Sequence, residues 1–393
     1  MGKITVKSLL EILFVSFRLG LTSFGGPVAH LGYFHEEYVR KRKWLDEKGY
    51  ADLVALCQFL PGPASSQVGI GIGVIRGGIA GGILAFLGFT LPSVIVLILF
   101  ALFLQGYEVV ETDAIHGLKI VAVAVVAHAI LGMSQKLTPD IQRKALALFA
   151  LIGTLLWQTA LSQVGIIIIA AGVGYYLFKN KDKGSGVMTH VPISRIFAYT
   201  CIVLFFGLLI FLPILAKITA FEWLYMFDSF YRAGALVFGG GHVVLPLLER
   251  EFVPTGYISK EVFLAGYGAA QAVPGPLFTF AAFVGGTMKG WFGGLLATFA
   301  IFLPAFLLIF GTLPFWNALR NHPKINGAFS GVNAAVVGIL IASFYGPIWT
   351  SSILSSTDFA LAAFLFNMLA FWKTPPWIVV LTGAFGGFLI SII

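Results

Sequence analysis

Residues 17–26 read FRLGLTSFGG, and residues 231–240 read YRAGALVFGG. In each, an arginine (Arg18, Arg232) stands six residues before Phe-Gly-Gly. Further on, Gln58 precedes Pro61-Gly62-Pro63, and Gln271 precedes Pro274-Gly275-Pro276. Leu91-Pro92 answers Leu303-Pro304, Gly117-Leu118-Lys119 answers Gly331-Val332-Asn333, and Trp157-Gln158-Thr159 answers Trp372-Lys373-Thr374. An internal duplication therefore runs through nearly the whole chain. Both copies interrupt apolar segments with Gly-Gly and with Pro-Gly-Pro. Paired interruptions at corresponding places of two halves point to the binding site of a membrane transporter.

The composition fits that class. Of 393 residues, 58% are hydrophobic and 11% charged, against about 25% charged in soluble domains. The mean hydropathy is +0.93. Apolar runs fill most of the length, and a spanning helix needs about 20 such residues. The fold class read from this is all-α and polytopic in a membrane. The net charge of +8 sits in short loops, where it sets orientation and does not signal nucleic acid. Cys57 and Cys201 lie far apart, with no metal-ligand or redox spacing, and read as structural thiols. There is no Walker A loop and no flavin, haem or thiol-pair motif, so the reading is of a non-enzyme without cofactor or metal. The N-terminus lacks a small-residue cleavage site, so the first apolar stretch is expected to stay in the mature protein.

The first repeat is read as 1–178 and the second as 221–393. Between them, 179–220 holds a lysine-bearing linker and one connecting transmembrane helix. Each repeat carries six apolar segments, near 8–28, 51–75, 79–104, 117–134, 144–158 and 162–178, then 226–248, 261–288, 291–315, 329–347, 358–372 and 376–393. Six segments return the chain to its starting side, and one extra span then inverts the second repeat. The positive-inside rule places the N-terminus and the linker in the cytoplasm and the C-terminus outside. Arg40, Lys41, Arg42 and Lys43 stay inside if the first two segments are re-entrant hairpins, and the reading favours that arrangement.

The breaks define the candidate site. A helix restarting after Gly25, Gly26, Gly62, Gly239, Gly240 or Gly275 presents free N–H groups, which attract anions. Arg18 and Arg232 are costly inside a membrane segment unless paired or used, and their planar forks suit an oxyanion. A second reading pairs them with Glu37 and Glu251, themselves a matched set, and both readings stay open. Ser23, Ser65, Gln58 and Gln271 complete the candidate coordination, although each alone can simply bond a helix carbonyl. His242 has no histidine partner in the other half, nor has His30, and Lys119 faces Asn333. With Glu37 and Glu251, Lys119 and His242 are the candidates for gating or coupling. Gly69, Gly73, Gly77 and Gly81, answered by Ala282, Gly286, Gly290 and Gly294, read as close-packing ladders.

Phe24-Gly25-Gly26-Pro27, Leu60-Pro61-Gly62-Pro63, Phe238-Gly239-Gly240-Gly241-His242, Val244-Leu245-Pro246 and Pro274-Gly275-Pro276 together resemble the chromate ion transporter family in its long, two-domain form. The resemblance covers essentially the full chain. It implies efflux of chromate across the bacterial cytoplasmic (inner) membrane, chromate resistance, and overlap with sulfate. The implied partners are a chromate- or sulfate-like oxyanion and the lipid bilayer, with no nucleic acid; a homodimer is left open. A potential negative inside is worth about 2.3 kcal/mol per charge per 100 mV, so expelling a dianion gains roughly twice that. Few carboxylates could carry protons through the membrane, and Glu37 and Glu251 are the matched pair. A proton-coupled sulfate or other oxyanion transporter and a passive anion channel are the alternatives.

Overall fold

The first repeat opens with two hairpins. Residues 5–23, 26–105, 113–157, 160–178, 193–219, 221–237, 243–315 and 323–390 are described in a computed structural model. Helix α1 (Val6–Thr22) opens with a capping box, in which the Ser8 N–H donates to Thr5 Oγ1 and the Thr5 N–H donates to Ser8 Oγ. It stops at Ser23, whose backbone is extended. Gly26, at φ +75°, starts α2 (Gly26–Phe34), which runs on through a π-helical stretch, His35–Lys41. That stretch folds back along α1. Tyr38 Oη lies 3.0 Å from Ser16 Oγ, Glu37 meets Arg18 at 2.5 Å, and Arg42 meets Glu11 at 2.6 Å. The basic run Arg40–Lys43 thus returns to the end where α1 begins.

Helix α3 (Glu47–Phe59) starts on an Asp46 cap and ends at the Pro-Gly-Pro break. Helix α4 (Ala64–Gln105) has non-helical backbone at Gly77 and Gly78 and is bent back there. Its parts 64–76 and 79–105 pack face to face: a Cβ on Gly73 would overlap the Gly81 carbonyl, and Gly82 faces Ile70 and Val74. Gly77 lies against Leu9 and Ile12, so the reversal sits at the starting end of α1. The second part, at about 1.5 Å per residue, is about 40 Å long, enough to span a bilayer.

Four helices follow: α5 (Asp113–Leu137), α6 (Ile141–Leu156), α7 (Ala160–Leu177) and α8 (Arg195–Thr219). Helix α8 turns Ile196, Val203, Phe206, Ile210 and Phe211 outward, as a lipid-facing helix does. The second repeat then restates the first. Helices α9 (Glu222–Leu236) and α10 (Val244–Phe252) form a hairpin, α11 (Lys260–Ala270) leads to the second Pro-Gly-Pro, and α12 (Phe280–Thr312) reverses at Lys289–Gly290. Helices α13 (Pro323–Ser343), α14 (Ser356–Ala370) and α15 (Pro376–Ile390) complete the chain. The protein is an all-α polytopic membrane protein.

Among the described residues, four helices are long and apolar enough to cross a membrane. Two of them, 64–104 and 277–315, are the bent α4 and α12, so each holds a short return arm and one long arm. The two long arms pack on each other and run antiparallel. Phe86 packs on Phe302 and Phe306, with ring centres 4.9 Å apart in both pairs. Further along, Ile98 packs on Gly294 and Leu102 on Gly290. The glycine ladders therefore pack helices, as small residues do where two backbones approach. Substituting Ala at Gly73 or Gly285 puts a methyl group onto the carbonyl of Gly81 or Gly293. Backbone cannot yield cheaply, and each change should lower stability by about 1–3 kcal/mol, read as a lower melting temperature in detergent.

Candidate functional site

The two halves close each other's breaks. Ser23 ends α1, and its carbonyl accepts the N–H of Gly275 at 3.0 Å. Val237 ends α9 at the corresponding place, and its carbonyl accepts the N–H of Gly62 at 2.6 Å. Both glycines sit at left-handed φ, +112° for Gly62 and +104° for Gly275, a region other residues rarely adopt. Gln67 Nε2 donates to the Pro61 carbonyl at 2.8 Å and braces the first Pro-Gly-Pro. His30 ties the crossings together: its Nε2 lies 3.2 Å from the Ser23 carbonyl and its Nδ1 3.3 Å from Ser65 Oγ. A carbonyl only accepts, so Nε2 carries a proton, and in the neutral ring Nδ1 accepts from the Ser65 hydroxyl. The free N–H groups expected at Gly62 and Gly275 are thus already committed across the interface, and they hold the breaks together.

A cavity of about 410 Å³ opens beside the Ser23–Gly275 crossing. Gly26, Gln271 and Gly275 line it, with His128 from α5 and Lys373 and Thr374 from the α14–α15 connection. Val125, Leu277 and Leu369 supply apolar wall. The polar side chains lining it can all donate: an ammonium, an amide, a hydroxyl and an imidazole. Among the described residues, no carboxylate lines it. Gln271 Nε2 is buried with no partner, which costs free energy unless a ligand or water accepts from it. Lys373 sits at φ +53°, an unusual conformation for a residue with a side chain. The cavity can therefore receive a small anion, with a full charge on one wall, an orphaned amide donor on another, and the start of α2 beside them.

The other predicted residues are placed as follows. Ser23 lies at the crossing, with its Oγ buried and unpartnered. Ser65 is held by His30. Gln58 is exposed on α3 and does not line the cavity. Arg18 and Arg232 do not line it either. Arg18 meets Glu37 at 2.5 Å, and Arg232 meets Glu251 at 2.9 Å. The ion-pair reading of the arginines is the one this conformation displays. Lys119 is buried within α5. Gly25, Gly239, Gly240 and His242 lie outside the described residues. His128 escaped the sequence reading, and Lys373 and Thr374 entered it only as part of the repeated Trp372-Lys373-Thr374 motif. One signal was available: Lys373 stands opposite Gln158 in the repeat alignment, a break in symmetry like that of Lys119 against Asn333.

A family model described as chromate transporter matches residues 10–175 and again 224–388. An uncharacterised transporter of Methanocaldococcus jannaschii is 28% identical over 335 residues, covering 84% of this chain and 82% of the relative. A chromate transport protein of Pseudomonas aeruginosa is 28% identical over 345 residues, covering 84% and 79%. A chromate transport protein of Cupriavidus metallidurans is 28% identical over 344 residues, covering 85% and 81%. No solved structure matches the chain.

Proposed function

The chain belongs to the chromate transporter family, and from that premise we propose that it exports a chromate-like oxyanion across the cytoplasmic membrane. The observation that carries this reading is the donor-lined cavity at the Gly26, Gln271 and Gly275 breaks. A tetrahedral dianion needs several donors and no competing carboxylate, and Lys373 and Gln271 meet that need. The partly apolar wall strengthens the contact of the buried Gln271 amide relative to water. Sulfate has the same shape and charge, so it competes for the same donors. Efflux follows the inside-negative potential without ATP.

The antiparallel crossings of α4 and α12 support two inverted repeats, 1–178 and 221–393, with α8 in 179–220 restoring parity. In this reading the breaks form the floor of the pathway. The ion pairs Arg18–Glu37 and Arg232–Glu251 fasten the two outer hairpins, which gives Glu37 and Glu251 a gating role. Lys119 and His242 are assigned to gating on their asymmetry between the halves.

Radiolabelled chromate flux in proteoliposomes tests the proposal. With a potassium-diffusion potential and no pH gradient, chromate should accumulate on the positive side, and unlabelled sulfate should reduce that flux. Absence of potential-dependent chromate or sulfate flux from well-folded protein would overturn it.

A further inference from the structure

The two hairpins hold equivalent charge clusters that do not balance alike. In the first, Arg18 and Arg42 face Glu11 and Glu37. Arg18 Nη2 lies 2.5 Å from Glu37 Oε2, Arg42 Nε 2.8 Å from Glu37 Oε1, and Arg42 Nη1 2.6 Å from Glu11 Oε1. Two cations meet two anions, with Lys41 and Arg76 at the margin. In the second, Arg232 alone serves Asp228 and Glu251. Its Nη1 and Nη2 donate to the two oxygens of Glu251 at 2.9 and 3.1 Å, and its Nε donates to Asp228 Oδ2 at 2.9 Å. Gly256 stands as far beyond Arg232 as Arg42 stands beyond Arg18, so the second arginine is missing. Phe14 stands where Asp228 would be and Tyr225 where Glu11 would be, so the second hairpin keeps two carboxyls, one of them moved, with one arginine fewer.

Glu251 is fully served, because Ser229 Oγ donates a further bond at 3.0 Å. Asp228 is not. Its side chain is 3% exposed, and its Oδ1 is buried with no hydrogen-bond partner. The other charges nearby do not repair this. Lys217 of α8 acts on Asp228 only as an exposed charge. Lys289 of α12 is engaged by Glu222 of α9 at 2.7 Å. Glu249 and Arg250 share α10 with Glu251 as an opposite-charged pair. A buried carboxylate oxygen without a donor is strongly disfavoured, whereas its protonated form is far less so.

We propose that Asp228 Oδ1 binds a proton, which supplies the positive charge that Arg42 supplies in the first hairpin. The step forms one O–H bond from a proton of bulk water and takes the triad from a net charge of −1 to neutral. A metal ion is the poorer fit, because it needs several oxygen ligands and only one oxygen is unoccupied here. Asp228 lies on α9 six residues, fewer than two turns, from Glu222, the end at which α12 reverses against Lys289. The proton is therefore exchanged with one face of the membrane. The triad also clasps the α9–α10 hairpin, whose α9 ends in the Val237 carbonyl that receives Gly62. Losing the proton leaves unbalanced negative charge inside that clasp and loosens it. The link to flux rests on the transport reading above; the proton site itself does not.

Infrared titration of the protein in liposomes separates the two. The wild type should show a protonated-carboxyl stretch at neutral pH that disappears on alkalinisation and is absent from Asp228→Asn. Asp228→Glu should restore the band, which guards against loss through misfolding. A band that is missing from the wild type, or that persists unchanged in Asp228→Asn, overturns the site. Chromate flux should change severalfold with pH on the Glu222 side in the wild type and be flat in Asp228→Asn. A wild-type flux indifferent to that pH, alongside the expected band, would retain the proton site and overturn its control of transport.

Discussion

Lys373→Ala should weaken chromate binding by about tenfold to a hundredfold and cut flux at low substrate in proportion. The estimate follows from a charge-assisted hydrogen bond, worth about 1.5–3 kcal/mol, converted at 1.4 kcal/mol per decade. Lys373 is exposed in the α14–α15 connection, so the change leaves the packed interior intact. Gln271→Leu should act in the same direction, because it removes the orphaned amide donor. Lys373→Arg should retain most of the affinity, since it keeps the charge on the same wall. The comparison is made on KM for chromate in proteoliposomes, with sulfate inhibition measured beside it. Wild-type KM in Lys373→Ala would move the substrate away from this cavity.

The second large effect is on stability, and it differs between the two arginines. Removing one partner of a buried ion pair leaves the other charge uncompensated, at a cost of about 3–5 kcal/mol. Arg232→Ala abandons two carboxylates at once and should approach that range, with much reduced yield and melting temperature. Arg18→Ala should cost about 1 kcal/mol or less. Its side chain is 58% exposed, and Glu37 keeps Arg42 at 2.8 Å. Melting curves of the two variants in one detergent test the contrast. Equal losses would show that the pairs are equivalent and that Arg42 provides no reserve.

The sequence displays whatever the two halves share. Arg18 and Arg232, Glu37 and Glu251, and the two Pro-Gly-Pro breaks all stand out because each has a counterpart, and in the folded chain each meets the partner that its counterpart implies. The same method hides what only one half owns. Asp228 faces Phe14 in the alignment, so matching positions passes over it, although it is the most deeply buried carboxyl of its cluster. Lys373 and His128 are hidden for a different reason. They reach the cavity from α5 and from the α14–α15 connection, far along the chain from Gly26 and Gln271. No local pattern records that meeting, because tertiary packing alone creates it. The commitment of Gly62 and Gly275 to carbonyls of the opposite half was equally illegible. A glycine that supplies a turn and a glycine that supplies a turn and a donor read the same in one dimension.

The reciprocal bonds, Gly62 to Val237 and Gly275 to Ser23, also set the size of the folding unit. Each repeat receives at its own break an N–H from the other repeat, so the two halves complete each other's breaks. Severing the chain in the 179–194 linker would leave two fragments with complementary vacancies, and tethering them in one polypeptide fixes their ratio at one to one and raises their effective concentration. Evolution of either half is then constrained by the other. A change in the turn at Gly62 is felt at the end of α9, and drift in one copy has to be answered in its sibling.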